Sequence, residues 1–147
     1  MTTYSFMDVQ AAITGPGGSF NLGYGSSNSE EGITVTMVED KNIMVTGADG
    51  SPMHSLRAGR SGQFTIHLLK TSPTNALLSQ LYNTQTISSA LHGKNVITIR
   101  NLASDDVITG AQCAFKKLPD ITYAKDATMM NWVFDVGIST TVLGSNT

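Results

Sequence analysis

Apolar and polar residues alternate from Phe64 to Leu69: Phe64, Ile66 and Leu68 on one side, Thr65, His67 and Leu69 on the other. A period of two sends successive side chains to opposite faces, so this stretch predicts a strand. It runs straight into a predicted helix over 72–82. Ser72 is placed to cap that helix, and Pro73 to take its first position, where a missing N–H costs nothing. Leu77, Leu78, Leu81 and Tyr82 recur on one helical face, which predicts that Leu77 and Leu81 join Phe64 in the core.

The same period recurs elsewhere. Asp8–Ile13 predicts a short strand ending at the turn Gly15-Pro-Gly-Gly, and Phe20–Tyr24 a brief second one. Ile33–Val38 alternates cleanly. Glu39-Asp40-Lys41-Asn42 then reads as a turn, with Asn42–Thr46 returning as the partner strand. Gly47–Gly62 has four glycines and a proline and no period, so it predicts one long loop. Such loops inside small domains are usually functional. Val96–Arg100 and Val107–Lys116 predict strands, the second bending at Gly110. Asn131–Leu143 is the longest, with Trp132, Phe134, Val136 and Ile138 on one side; Trp132 and Phe134 are expected as core anchors. The fold class is mainly β, a two-sheet sandwich or barrel with one flanking α-helix. A chain of 147 residues suits one domain, with a strand or arm over 1–14, the loop over 47–60, the helix over 72–82 and the long strand over 131–143.

Composition narrows the function. Only 14% of residues are charged, against about 25% on average, so Ser, Thr, Asn, Gln and Gly cover much of the surface. Such a surface loses water more cheaply than one of Lys and Glu, which suits broad protein contacts. A net charge of -2 with no basic cluster beyond Lys116-Lys117 argues against sequence-independent nucleic-acid binding. No run approaches the roughly 18 apolar residues of a membrane span, and no membrane anchor is expected.

Candidate chemistry is sparse. His54, His67 and His92 show no metal-ligand spacing. His67 reads as a sheet-surface residue, and His54 and His92 as loop residues in solvent. Cys113 alternates with Ala111 and Phe115 and reads as a buried apolar side chain. The acidic pairs Glu30-Glu31, Glu39-Asp40 and Asp105-Asp106 sit in turns, not across a cleft. Neither Gly15-Pro-Gly-Gly-Ser nor Gly59-Arg-Ser-Gly matches a phosphate loop or a nucleophile elbow. No enzyme, cofactor or metal site is expected. A carbohydrate-binding sandwich needs a groove of aromatics, and one Trp and four scattered Tyr give it little support.

Three blocks carry a resemblance: Val45-Thr-Gly-Ala-Asp-Gly-Ser-Pro-Met-His-Ser; Arg60 to Leu78, containing Thr71-Ser-Pro-Thr-Asn75; and Ala114-Phe-Lys-Lys-Leu-Pro-Asp-Ile-Thr-Tyr-Ala-Lys followed by Asn131-Trp-Val-Phe-Asp. They span about 33–138. The Thr-Ser-Pro-x-Asn helix start and the terminal Trp-x-Phe strand are the most specific. On these blocks the chain resembles the tail tube proteins of contractile-tailed bacteriophages. The tubes of phage-derived bacteriocins and type VI secretion are related alternatives. The resemblance implies a β-sandwich subunit that closes into hexameric rings, which stack head to tail around a DNA channel. It implies sheath, baseplate and tape-measure proteins as partners, and a place in the virion tail after synthesis in the host cytoplasm.

Within that picture Glu30, Glu31, Glu39 and Asp40 are candidate lumen-facing residues, because like charge keeps a phosphate backbone from adhering. Asp49, Met53, His54, Arg57 and Arg60 are candidates for ring-to-ring contact, with Thr2–Asp8 as a second contact segment.

Overall fold

The computed structural model describes Tyr4 and residues 8–23, 32–126 and 129–144. In chain order the elements are β1 (Val9–Gly15), β2 (Gly18–Gly23), β3 (Gly32–Met37), β4 (Asn42–Thr46), β5 (Pro52–Leu56), β6 (Gly62–Leu69), α1 (Thr74–Gln85), β7 (Asn95–Asn101), β8 (Asp106–Lys117) and β9 (Met129–Val142). Seven strands form one antiparallel sheet in the order β2-β1-β7-β8-β9-β6-β3, and β4 and β5 form a second, two-stranded sheet. The mostly-β, one-helix architecture is the one that the alternation predicts.

The large sheet curls into a half-barrel. Ile33 and Val35 of β3, at one edge, line the same cavity of about 320 Å³ as Val9 of β1, Ile99 of β7 and Ile108 of β8. Register shifts in the β1–β2, β7–β8 and β8–β9 pairs add twist where the sheet bends. One of them lies beside Gln112, whose φ of 55° is left-handed. Gly110 precedes it because the core closes over that point: a Cβ there would stand 2.8 Å from Phe64 Cε2 and 2.9 Å from Val136 Cγ1.

The concave face holds the core. Phe64, Ile66, Leu68, Trp132, Phe134 and Val136 alternate into it from β6 and β9, whose register pairs Phe64 with Phe134 and Ile66 with Trp132. Ile13, Ile97, Cys113 and Phe115 complete it from β1, β7 and β8. Phe115 is the hub, edge-on to Tyr82 and Trp132 and tilted against Phe134. Burial of Ala11, Ile13 and Leu22 extends the same face to the β1–β2 edge.

The helix plugs this core with most of the expected face: Leu78 and Leu81 are buried and Tyr82 packs against the core, while Leu77 turns outward. Its buried positions are Thr74, Leu78, Leu81 and Gln85, and Leu77 is 43% exposed, so Leu77 is not a core anchor. The four buried positions recur at helical spacing, and Leu77 lies about 100° away from Leu78. The helix also runs three residues beyond the expected end. Ser72 Oγ accepts the Thr74 amide at 3.3 Å, and Pro73 already has helical angles.

Two of the buried polar side chains, Gln85 and Asn95, satisfy each other. Gln85 and Asn95 exchange two side-chain hydrogen bonds of 2.6 Å each, and Gln85 Nε2 also donates to the Pro16 carbonyl at 3.0 Å. This joins the helix C-terminus to the β1–β2 turn and the start of β7. Gln85→Leu strands the Asn95 amide in the core, an expected cost of about 1–3 kcal/mol by urea denaturation. Adding Asn95→Leu should restore part of the loss, and a loss equal to the sum of the two single changes counts against the pairing.

Three further expectations are corrected. β3 pairs with β6, not with Asn42–Thr46. β4 instead pairs with β5, a strand inside the segment expected as one long loop. Ile138 is 36% exposed, because the buried phase of β9 ends at Val136 and Ser139 takes the inward position.

Candidate assembly interface

The β4–β5 hairpin is built without a core. Every residue of both strands is exposed, yet Ile43, Met44, Val45, Met53 and Leu56 are large and apolar, Leu56 at 86% exposure. The register sets Ile43 and Val45 with Met53 on one face, and Met44 with His54 and Leu56 on the other. Apolar side chains therefore stand on both faces, and among the described residues nothing covers either. An isolated two-stranded hairpin is marginally stable in water. This one has an ordered base and tip. Arg57 N–H donates to the Lys41 carbonyl at 2.9 Å, and Lys41 Nζ donates to the carbonyls of Arg57 and Gly59 at 3.1 and 2.8 Å. At the tip Asp49 Oδ1 accepts the Ser51 amide at 3.0 Å. The hydrogen bonds from Ser51 hold the Asp49 carboxyl below its ordinary pKa, so the tip stays anionic.

The hairpin gathers Asp49, Met53, His54 and Arg57 from the predicted contact set; His54 Nδ1 lies 3.1 Å from Asn42 Nδ2. Arg60 is outside it, donating from Nη2 to Thr140 Oγ1 on β9 at 2.8 Å. Glu39 sits at the hairpin base, 3.6 Å from Arg57, so two residues with separate predicted roles are neighbours. Asp40 is exposed beside it. Glu30, Glu31 and the Thr2–Asp8 segment apart from Tyr4 and Asp8 lie outside the described residues.

Two other surfaces are open. Among the described residues β2 and β3 form the edges of the large sheet, each with one side of its backbone unpaired by a strand. The convex face of β3, β6 and β9 is polar, carrying Thr34, Thr36, Gln63, Thr65, Asn131 and Asp135. His67 belongs to this face, as its alternation predicts: Nδ1 is 2.7 Å from Asn131 Oδ1 and Nε2 is 3.3 Å from Thr34 Oγ1. Among the described residues no three His, Cys, Asp or Glu side chains converge to hold a metal. Cys113 is fully buried, and that burial pushes its thiol up to about 11, far from a reactive thiolate.

The chain matches the family of the bacteriophage PhiTE tail tube protein over residues 1–144. It belongs to this phage tail tube family. Two solved structures share its fold. One is an extracellular contractile injection system, the PVC sheath-tube complex in its extended state: 11% identity, TM-score 0.57, 91% of this chain and 88% of that chain covered. The other is the cap of the anti-feeding prophage, which terminates the AFP tube: 10% identity, TM-score 0.60, coverage 98% and 95%. No curated protein matches the chain. A tail tube protein is a structural component of the virion tail, so the surfaces of interest are those that meet other subunits.

One segment of the third resemblance block carries no predicted contact residue. Between β8 and β9, residues 118–126 carry no helix or strand, and Leu118, Ile121 and Tyr123 are exposed, Tyr123 at 88%. Lys70 holds this strap, donating from Nζ to the Thr122 carbonyl at 3.1 Å and lying 3.9 Å above the Tyr123 ring. Its Leu-Pro-Asp start reads simply as a strand breaker. The exposed Ile and Tyr beyond it were the available signal.

Proposed function

We propose that copies of this chain close into hexameric rings, that the rings stack into the tail tube, and that double-stranded DNA passes through the channel into the host without specific binding. The observation that carries this is the β4–β5 hairpin, with apolar side chains on both faces and no cover from the described residues of its own chain. A second copy supplies the missing cover. The edge strands β2 and β3 support the same reading, since closing a ring of sheets removes the edges that invite uncontrolled pairing. Sheath, baseplate and tape-measure proteins are the further partners of such a tube, and the subunit is made in the host cytoplasm before assembly. Electron microscopy and sedimentation of the purified protein test the assembly. Rings or tubes are expected; a monomer at every concentration and salt overturns it.

The polar convex face suits a wet lumen, and Asp40 and Glu39 are proposed to add negative charge near it. Asp40→Lys is the cleaner test, because Glu39 also meets Arg57. Phage carrying Asp40→Lys should assemble normally and release DNA more slowly; release at the wild-type rate removes Asp40 from the lumen.

A further inference from the structure

Among the described residues, carboxylates outnumber cations at one end of the large sheet and lysines outnumber carboxylates at the other. At the end where β3 runs out and β6 begins, the described residues include Asp8, Glu39, Asp40, Asp49, Asp105 and Asp106, against Lys41, Arg57, Arg60 and Arg100. The register places them together: Gly62 pairs with Val136, the following turns of β9 run alongside Arg60, and Val142 pairs with Val107 next to the Asp105-Asp106 turn. Val9, next to Asp8, pairs with Asn101 at the same end. The hairpin leaves the sheet here. At the opposite end, where β6 and β8 finish and β9 starts, stand Lys70, Lys94, Lys116, Lys117 and Lys125, against Asp120 and Asp126. The exposed strap lies at this end. Beside it a groove of about 300 Å³ is lined by Lys117, Pro119, Met129 and Val133 among others.

We infer that ring stacking is directed by this polarity: the acidic, apolar hairpin end of one copy docks on the lysine-rich strap end of a copy in the next ring. This rests on the stacked-tube reading above and names the surface that receives the hairpin. Opposite ends of one molecule make a heterologous contact, which propagates instead of closing. Each end has exposed apolar side chains to bury, Met53 and Leu56 on the hairpin and Ile121 and Tyr123 on the strap. The opposite charges steer the ends together and reject head-to-head or tail-to-tail encounters. The shortage of charge elsewhere on the surface, 14% in all, leaves these ends as the main electrostatic features.

The test reverses each end separately and then both. Lys116→Glu with Lys117→Glu, or Asp8→Lys with Asp49→Lys, should raise the concentration needed for tube formation about tenfold at low salt, and the difference should shrink at about 0.5 M NaCl, where screening shortens to a few ångströms. A chain carrying all four changes has its polarity inverted and should form tubes again, whichever side chains meet. Circular dichroism of each variant separates loss of contact from loss of fold. Wild-type tubes with variants that assemble equally well overturn the polarity inference and leave the tube reading standing, as does failure of the fourfold variant to recover while still folded. If the wild type forms no tubes, the tube reading itself fails.

Discussion

Replacing Asn42–Leu56 by a short Gly-Ser link is expected to leave a folded, soluble subunit that forms no tubes. The hairpin adds nothing to the core, since none of its residues is buried. Its base is already closed by the Arg57 N–H to Lys41 carbonyl hydrogen bond, so a short link spans the gap without strain. Stability by urea denaturation should stay within about 1 kcal/mol of the wild type, as for changes away from packed regions. Assembly should be lost outright, because the excision removes Ile43, Met44, Val45, Met53 and Leu56 together. A milder pair, Met53→Asp with Leu56→Asp, should weaken assembly in the same direction through the cost of burying unpaired carboxylates. Tubes from the excised chain, seen by microscopy, would remove the hairpin from the interface.

The largest stability effect is expected at Trp132. Its side chain is fully buried among Phe115 and the β6 residues, and its indole Nε1 donates to Asn75 Oδ1 at 2.9 Å. Asn75 in turn donates from Nδ2 to the Leu69 carbonyl at 2.8 Å, where β6 turns into the helix. Trp132→Ala should cost about 3–5 kcal/mol, the usual range for emptying an aromatic site in a core. Asn75→Ala keeps the Trp132 ring in the core but leaves the indole N–H and the Leu69 carbonyl without this partner, for about 1–3 kcal/mol. The two effects should not add, because once the indole is gone Asn75 has lost half its role. Additive losses in urea titrations, or a Trp132→Ala protein within 1 kcal/mol of wild type, would show that the indole does not hold the helix start to the sheet.

That contact joins the two most specific motifs of the resemblance. The Thr-Ser-Pro-x-Asn helix start and the Trp-x-Phe strand are distant in sequence, and Asn75 and Trp132 meet in space. Alternation sufficed to find the strands whose one face enters the core, as for β6 and β9. It was blind to β5, because a strand exposed on both faces has no burial to impose a period: Met53-His-Ser-Leu56 reads as irregular. The helix was legible, and so was most of its inward face, Leu78, Leu81 and Tyr82; Leu77 is the exception. Leu77 and Leu78 are equally apolar, and only the position of the helix over Phe115 and Trp132, together with the Gln85–Asn95 pair, selects Leu78 and leaves Leu77 outside.

Local pattern by itself determined the strand-rich class, the single helix and most of the core, since those follow from the periods at which side chains repeat along a backbone. The three-dimensional arrangement decided that β3 joins β6, that β4 and β5 stand apart as an uncovered hairpin, and that carboxylates and lysines collect at opposite ends. Pairing partners and the gathering of distant charges depend on how the chain returns on itself, which no repeat in a short window encodes.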